Sequence, residues 1–223
     1  MSAVYLVRHG QASFGTDDYD RLSDRGRAQA TALGQAWEAS GFLPTQAYAG
    51  SMKRHAQTAI AALDAAGPSD GYDVDGGWDE FPHESVVEAY APGYATTDAR
   101  AFQATFVAAV ARWASGEHDA DYPESYASFT SRVLAAFDRV TSALGKGETA
   151  VVFTSGGPLA VVAAHLLAGD AATWSADAHM LWPRLNTVAI NAGVTTVVTG
   201  ASGRTLLAFN EHTHLPTDLL TYR

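Results

Sequence analysis

Residues 151–160 read VVFTSGGPLA: a short apolar run, a polar pair, two glycines, a proline, then apolar residues again. The stretch predicts a buried strand over Ala150 to Phe153 that turns through Gly156 and Gly157 into a helix opening at Pro158. Proline suits the first helical position, where its missing N–H has no intrahelical partner to lose. The glycines let the backbone approach a ligand closely, and the free N–H groups at a helix start favour an anion. Ser155 is therefore expected at an exposed corner, either in an ordinary strand-to-helix turn or at the wall of an anion site.

Outward from this corner the chain alternates strands and helices. Ala3 to Val7 (AVYLV) is a compact apolar run bounded by Arg8 and Gly10, and predicts a first buried strand. The segment from Ser23 to Gly41 carries Ala30, Leu33 and Trp37 at helical spacing, with Ser23 as N-cap and Gly41 as stop. A short strand near Ala47 to Ala49 leads into SMKRHAQTAIAALDAAG, a helix with Ile60 and Leu63 expected inward and Gly67-Pro68 at its end. Two longer helices follow, the first carrying Phe102, Phe106, Val110 and Trp113, the second Tyr126, Phe129, Val133, Phe137, Val140 and Leu144. After the strand-turn-helix of the opening stretch come three β-rich runs, NTVAIN, VTTVVTG and RTLLAFN. The pattern predicts an α/β fold with a mostly parallel mixed sheet and helices on both faces. Residues 1–223 form a single domain on this expectation, with 82–125 as a helical cap insertion.

Composition narrows the function. A chain of 223 residues buries a sizeable core, and 47% hydrophobic with 17% charged residues is an ordinary globular balance. No apolar run approaches the roughly 20 residues of a membrane helix, so a soluble protein without membrane attachment is expected. The start, MSAVYLVRHG, lacks the basic-then-apolar order of a secretory signal, which points to the cytoplasm. The absence of cysteine removes disulfides, thiolate nucleophiles and cysteine zinc sites. A net charge of −10 argues against nucleic acid as a partner, so a bound anion requires a local basic pocket.

Such a pocket has candidates. In LVRHGQASFG, residues 6–15, Arg8, His9 and Gly10 stand at the carboxyl end of the first strand, the edge where open α/β sheets bind ligands. A fixed positive charge beside the imidazole disfavours its protonation, and a guanidinium can hold two phosphoryl oxygens. Arg54, in GSMKRHAQTA, lies in the first turn of a helix, where it opposes the helix dipole but adds to the field on an anion docked there.

Four pieces together, VYLVRHGQAS, DYDRLSDRGRAQATALG, GSMKRHAQTA and VVFTSGGPLA, resemble the histidine phosphatase superfamily, also called phosphoglycerate mutase-like, in order and spacing over almost the whole chain. The resemblance implies a three-layer α/β/α fold and a metal-independent phosphomonoesterase that needs no cofactor. Position by position it makes His9 the nucleophile that is phosphorylated in turnover, with Arg8 and Arg54 clamping the phosphoryl group. It places an acid for the leaving oxygen in WDEFPHE, where Glu80 is the choice and Asp79 the adjacent alternative. It also implies a second histidine directly before Gly156-Gly157, and here this chain departs, because the residue is Ser155. A hydroxyl supplies one donor, and the N–H groups of Gly156 and Gly157 can supplement it, but the option of positive charge is lost. His83 in the following loop, or His55 beside Arg54, are the candidates to reach in as substitutes, with His83 preferred.

The expected partner is a phosphorylated small-molecule substrate, and the oligomeric state is not legible. A protein that binds phosphate ligands or partners with weakened catalysis is the alternative, and phosphoglycerate mutase is less favoured. A serine hydrolase with Asp170 or Asp177 and His212 or His214 as partners to Ser155 would require glycine at 153, where the chain has Phe153. His212 and His214 as an alternating metal pair lack a partner set. The aromatics Tyr90, Tyr94, Trp113 and Tyr126 are candidates for either a substrate wall or core.

Overall fold

Strand β1 (Ser2–Arg8) sits inside a six-stranded sheet, with β4 (Thr149–Thr154) on one side and β5 (Val194–Gly200) on the other. Beyond β4 lie β2 (Gln46–Ala49) and the two-residue β3 (Asp73–Val74); beyond β5 lies β6 (Gly203–Glu211). The β1–β4, β4–β2 and β2–β3 pairs are parallel, and β5 and β6 run antiparallel to their neighbours. The computed structural model describes residues 1–13, 20–171 and 173–222. Phe14 and Gly15 of the first motif, and Asp18 and Tyr19 of the second, lie outside the described residues.

Helices cover the sheet. Helix α1 (Asp24–Ser40) begins where the Ser23 side chain accepts from the Gly26 N–H and stops at Gly41 in the left-handed region. With α2 (Lys53–Ala66) it packs Leu33, Trp37, Ala59, Ala62, Leu63 and Ala66 against Val7, Ala49, Val151, Phe153 and Val194 of the sheet. Apolar burial of this kind stabilises by about 25 cal/mol per Å², and it is what holds α2 to the strand ends. Ile60 departs from its expected inward place: it is 48% exposed, and small alanines one residue before and two after it take the contact. Helix α6 (Gly156–Leu167) is buried along nearly its whole length, which explains why its sequence shows no polar face. Helix α7 (Ala176–Val188) packs on it, with Trp182 Nε1 donating to the Gly157 carbonyl at 3.1 Å.

Two boundaries differ from expectation. The α6 helix opens at Gly156, so Pro158 is its third residue, still among the first-turn positions whose N–H groups lack partners. The run NTVAIN is not a strand. Its first half finishes α7, which starts at the Ser175 cap, contains Pro183 and ends with the β-branched Thr187 and Val188; the β-rich tail has two strands, not three.

The chain divides into two compact units, Met1–Asp79 with Val133–Arg223, and Glu80–Arg132. The second unit contains α3 (His83–Tyr90), α4 (Ala99–Ala114) and the first turns of α5 (Tyr126–Ala143). It has its own aromatic centre. Phe81 and Trp113 stack at 4.8 Å, and Tyr126 and Phe129 meet Trp113 at 5.1 and 5.6 Å. Trp113 and Tyr126 are thus core of that unit, while Tyr90 and Phe102 are exposed. Among the described residues no helix is long and apolar enough to cross a membrane.

Candidate functional site

The register of the central strands builds the site. Arg8 lies opposite Thr154 in the β1–β4 pair, and the chain continues from them into His9 and Ser155. The His9 N–H donates to the Thr154 carbonyl at 2.8 Å, and the Thr154 hydroxyl donates to the Trp78 carbonyl at 2.6 Å. Past His9, the Gly10 N–H donates to Thr58 Oγ1 at 3.1 Å, and that hydroxyl donates in turn to the Arg54 carbonyl at 2.7 Å. Asn191 Nδ2 donates to the His9 carbonyl at 3.1 Å. The loop after β1 is therefore pinned from α2 on one side and from residue 191 on the other.

Within that frame the His9 ring is fixed by its Nδ1–H, which donates to the Gly10 carbonyl at 2.6 Å. Holding the proton on Nδ1 leaves Nε2 with the lone pair. Burial pushes the His9 pKa well below 6.5, the charges of Arg54 and Arg8 push it further, as a proton on His55 would, and the Gly10 carbonyl alone opposes them. The imidazole is neutral at pH 7, as a nitrogen nucleophile needs.

The two arginines are anchored differently. Arg8 Nη1 donates to the carbonyls of Ala189 and Tyr222. Its Nε faces Gly156, where an added Cβ would lie 3.6 Å from that nitrogen and 2.7 Å from Asn186 Oδ1, so only glycine leaves this wall undisturbed. Arg54, the second residue of α2, is buried and pairs through Nη1 with Asp20 Oδ1 at 2.7 Å. The other Asp20 oxygen accepts from the Lys53 N–H at 2.9 Å, so one carboxylate both starts the helix and holds its arginine. Arg54 Nε is buried without a hydrogen-bond partner among the described residues.

Ser155 reverses its expectation. It is 0% exposed, and as N-cap of α6 its side chain makes no cap bond. Its Oγ instead lies 2.7 Å from Nε2 of His55, which is also fully buried and whose ring centre is 5.8 Å from that of His9. Of the two histidines considered as substitutes, His55 is the one placed on Ser155; His83 opens α3 in the other unit. Glu80 is the first residue of that unit, and its Oε1 accepts from the Phe81 N–H at 3.1 Å. Asp79 lies in the larger unit and accepts from the Ser51 N–H at 2.6 Å.

The tail histidines have other roles. His212 Nδ1 donates to the Asn210 carbonyl at 2.7 Å, and His214 Nε2 to the Ala192 carbonyl at 3.0 Å. Asp170 pairs with Arg204 and His165. Among the described residues no group of three or more His, Cys, Asp or Glu could hold a metal ion. Four contributors had no signal in the sequence: Asp20, Thr58, Asn186 and Asn191 reach the site through contacts between elements distant along the chain.

The family model for the histidine phosphatase superfamily (branch 1) matches residues 4–211. No curated protein matches the chain significantly. Among solved structures, a phosphoserine phosphatase mutant from Entamoeba histolytica in complex with phosphoserine is 17% identical, with 97% of this chain and 100% of that one covered at a TM-score of 0.65. A mycobacterial glucosyl-3-phosphoglycerate phosphatase is 20% identical, with coverage of 95% and 99% and a TM-score of 0.59. A phosphoglycerate mutase from Bacillus anthracis is 17% identical, with coverage of 96% and 94% and a TM-score of 0.62.

Proposed function

The chain belongs to the histidine phosphatase superfamily, branch 1, and from that premise we propose that it hydrolyses a small-molecule phosphomonoester through a phosphohistidine on His9. The observation that carries this is the Nδ1–H bond to the Gly10 carbonyl at 2.6 Å, which presents Nε2 of a buried, neutral ring beside two arginines.

Nε2 attacks phosphorus while the bond to the leaving oxygen breaks, and Glu80 gives that oxygen its proton. Water then attacks the phosphohistidine, loses a proton to the Glu80 carboxylate and releases phosphate. Arg8 and Arg54 hold the phosphoryl oxygens, supplemented by Ser155 and the N–H groups of Gly156 and Gly157. Preorganised donors of this sort are worth roughly 10²–10³ in rate each at a transition state. No metal or cofactor enters these steps, and residues 82–125 serve as the cap. Two of the similar folds carry phosphatase names, which supports hydrolysis over mutase chemistry.

A binding protein with weakened turnover is the second reading, favoured by a serine where the family pattern has a histidine. An aryl-phosphate assay on wild type and His9→Ala, with and without chelator, separates them when combined with acid-quench phosphate labelling. Label on the protein that disappears in His9→Ala, with turnover indifferent to chelator, is the expected result. Activity surviving in His9→Ala would sink the mechanism, and saturable phosphate binding without turnover would favour the binding protein.

A further inference from the structure

One buried titratable group has no role in the steps above. His55 is fully enclosed, its Nε2 bonded to the Ser155 hydroxyl at 2.7 Å. Its Nδ1 is buried with no hydrogen-bond partner among the described residues and lies 3.8 Å from Asp79 Oδ1. Room for the ring comes from Gly50, where an added Cβ would stand 2.3 Å from that Nδ1 and 2.7 Å from Asp79 Oδ1. A buried imidazole with an idle nitrogen costs free energy as ordinary packing, so its enclosure here calls for a purpose.

We propose that Ser155 and His55 act as one unit at the phosphoryl site: the Ser155 hydroxyl donates to a phosphoryl oxygen, and His55 directs it from behind and takes up a proton when the dianion binds. The proposal rests on the phosphate-site reading above and deepens it. In the empty site Nε2 accepts from the hydroxyl, and the hydroxyl hydrogen is turned away from the phosphoryl position. Once a dianion arrives, a proton from solvent on His55 reverses the bond: Nε2–H donates to Oγ, Oγ–H turns to the phosphoryl oxygen, and Nδ1–H faces Asp79. No covalent bond other than the N–H changes.

The groups that face His55 decide whether this can happen. Arg54 on its own helix and His9 after β1 oppose a positive charge, and Asp79 after the Gly76–Trp78 turn favours it. Without ligand, burial and Arg54 keep His55 well below 6.5, hence neutral. A phosphoryl dianion adds the negative charge that tips this balance. His55 is then a positioning residue, acting through Ser155, and supplies from α2 the charge that a serine at 155 lacks.

The test uses tungstate, a phosphoryl mimic with no protonation of its own near neutral pH, titrated calorimetrically at pH 7 in buffers of different ionisation enthalpy. Wild type should take up close to one proton per tungstate bound, and His55→Gln should bind without that uptake. In turnover, His55→Ala should lose roughly 10–100-fold in kcat. Ser155→Ala in the same background should cost little more, because the two positions act together. The double variant His55→Ala with Ser155→His should recover at least tenfold over His55→Ala. Equal proton uptake in wild type and His55→Gln overturns the proposal, as does a folded double variant no better than the single one. If wild type shows no turnover but binds tungstate with His55-dependent proton uptake, the hydrolytic reading fails and this one stands. If tungstate does not bind at all, both fall.

Discussion

Arg8 and Thr154 are direct partners where the parallel strands β1 and β4 end, and the His9 N–H still reaches the Thr154 carbonyl at 2.8 Å. The nucleophile candidate and the start of α6 therefore leave the sheet at the same level, with no loop between them to wander. The start of α6, whose free N–H groups favour an anion, and the His9 ring are carried by adjacent strand ends, so strand register sets their spacing.

Arg54 adds the charge that register cannot supply. Replacing it with alanine should lower kcat/KM for an aryl phosphate by roughly 10²–10³-fold, with the circular dichroism spectrum unchanged. Lysine should restore only part, since an ammonium cannot match the planar fork that Asp20 now holds at 2.7 Å. Steady-state kinetics on the two variants decides this.

Stability should fall on mild acidification. His9 and His55 both have folded pKa values well below 6.5, with burial the first cause in each. The unfolded chain therefore binds protons that the folded one refuses once pH drops below about 6.5, and folding loses up to about 1.4 kcal/mol per pH unit for each such group. Above that pH their contribution is complete. Urea midpoints measured from pH 7.5 down to 5.5 should decline, and His55→Gln should decline less steeply.

Gln29 ties the site to the tail. Fully buried, it accepts from the Gln11 N–H at 2.8 Å and donates to the Leu219 carbonyl at 2.6 Å and to Thr221 Oγ1 at 2.7 Å. Thr221 in turn donates to Asn191 Oδ1 at 2.9 Å, and Asn191 holds the His9 carbonyl. Gln29→Leu keeps the bulk but removes the three bonds to Gln11, Leu219 and Thr221, at about 1–3 kcal/mol. Chemical denaturation at pH 7.5 reads the loss, and limited proteolysis should show earlier cleavage near residue 219.

Phe153 stands two residues before Ser155, fully buried beside Trp37. Phe153→Ala should cost about 3–5 kcal/mol through lost burial and the cavity left behind. Phe153→Leu should cost less than half as much in the same urea titration.

The sheet, its helices and the arginine-histidine corner were legible because each rests on local chemistry: apolar runs at strand length, Ser23 and Gly41 at the ends of α1, Arg8 and His9 at a strand end. NTVAIN misled for the same reason, since its β-branched residues look like a strand while packing of Trp182 on α6 keeps α7 helical through Val188. The inward face of α2 depends on helix phase to within one residue. Ile60 and His55 show the difference: the first was expected inside and is exposed, and the second, beside a charged arginine, is enclosed. Asp20, Gln29 and Asn191 were invisible, because their partners are 18 to 192 positions away along the chain.

The close fit at the corner also sets how this protein can be varied. With Ser155 and His55 both enclosed at 2.7 Å, and a Cβ at Gly50 falling on the His55 ring and Asp79 Oδ1, a larger side chain at 50 or at 155 collides with the imidazole. Randomising position 155 alone would return little beyond serine, alanine and glycine, and would give the impression of an intolerant site. A library that varies 50, 55 and 155 together can move the imidazole from one element to the other in a single step. Catalytic solutions that are unreachable one codon at a time lie within its range.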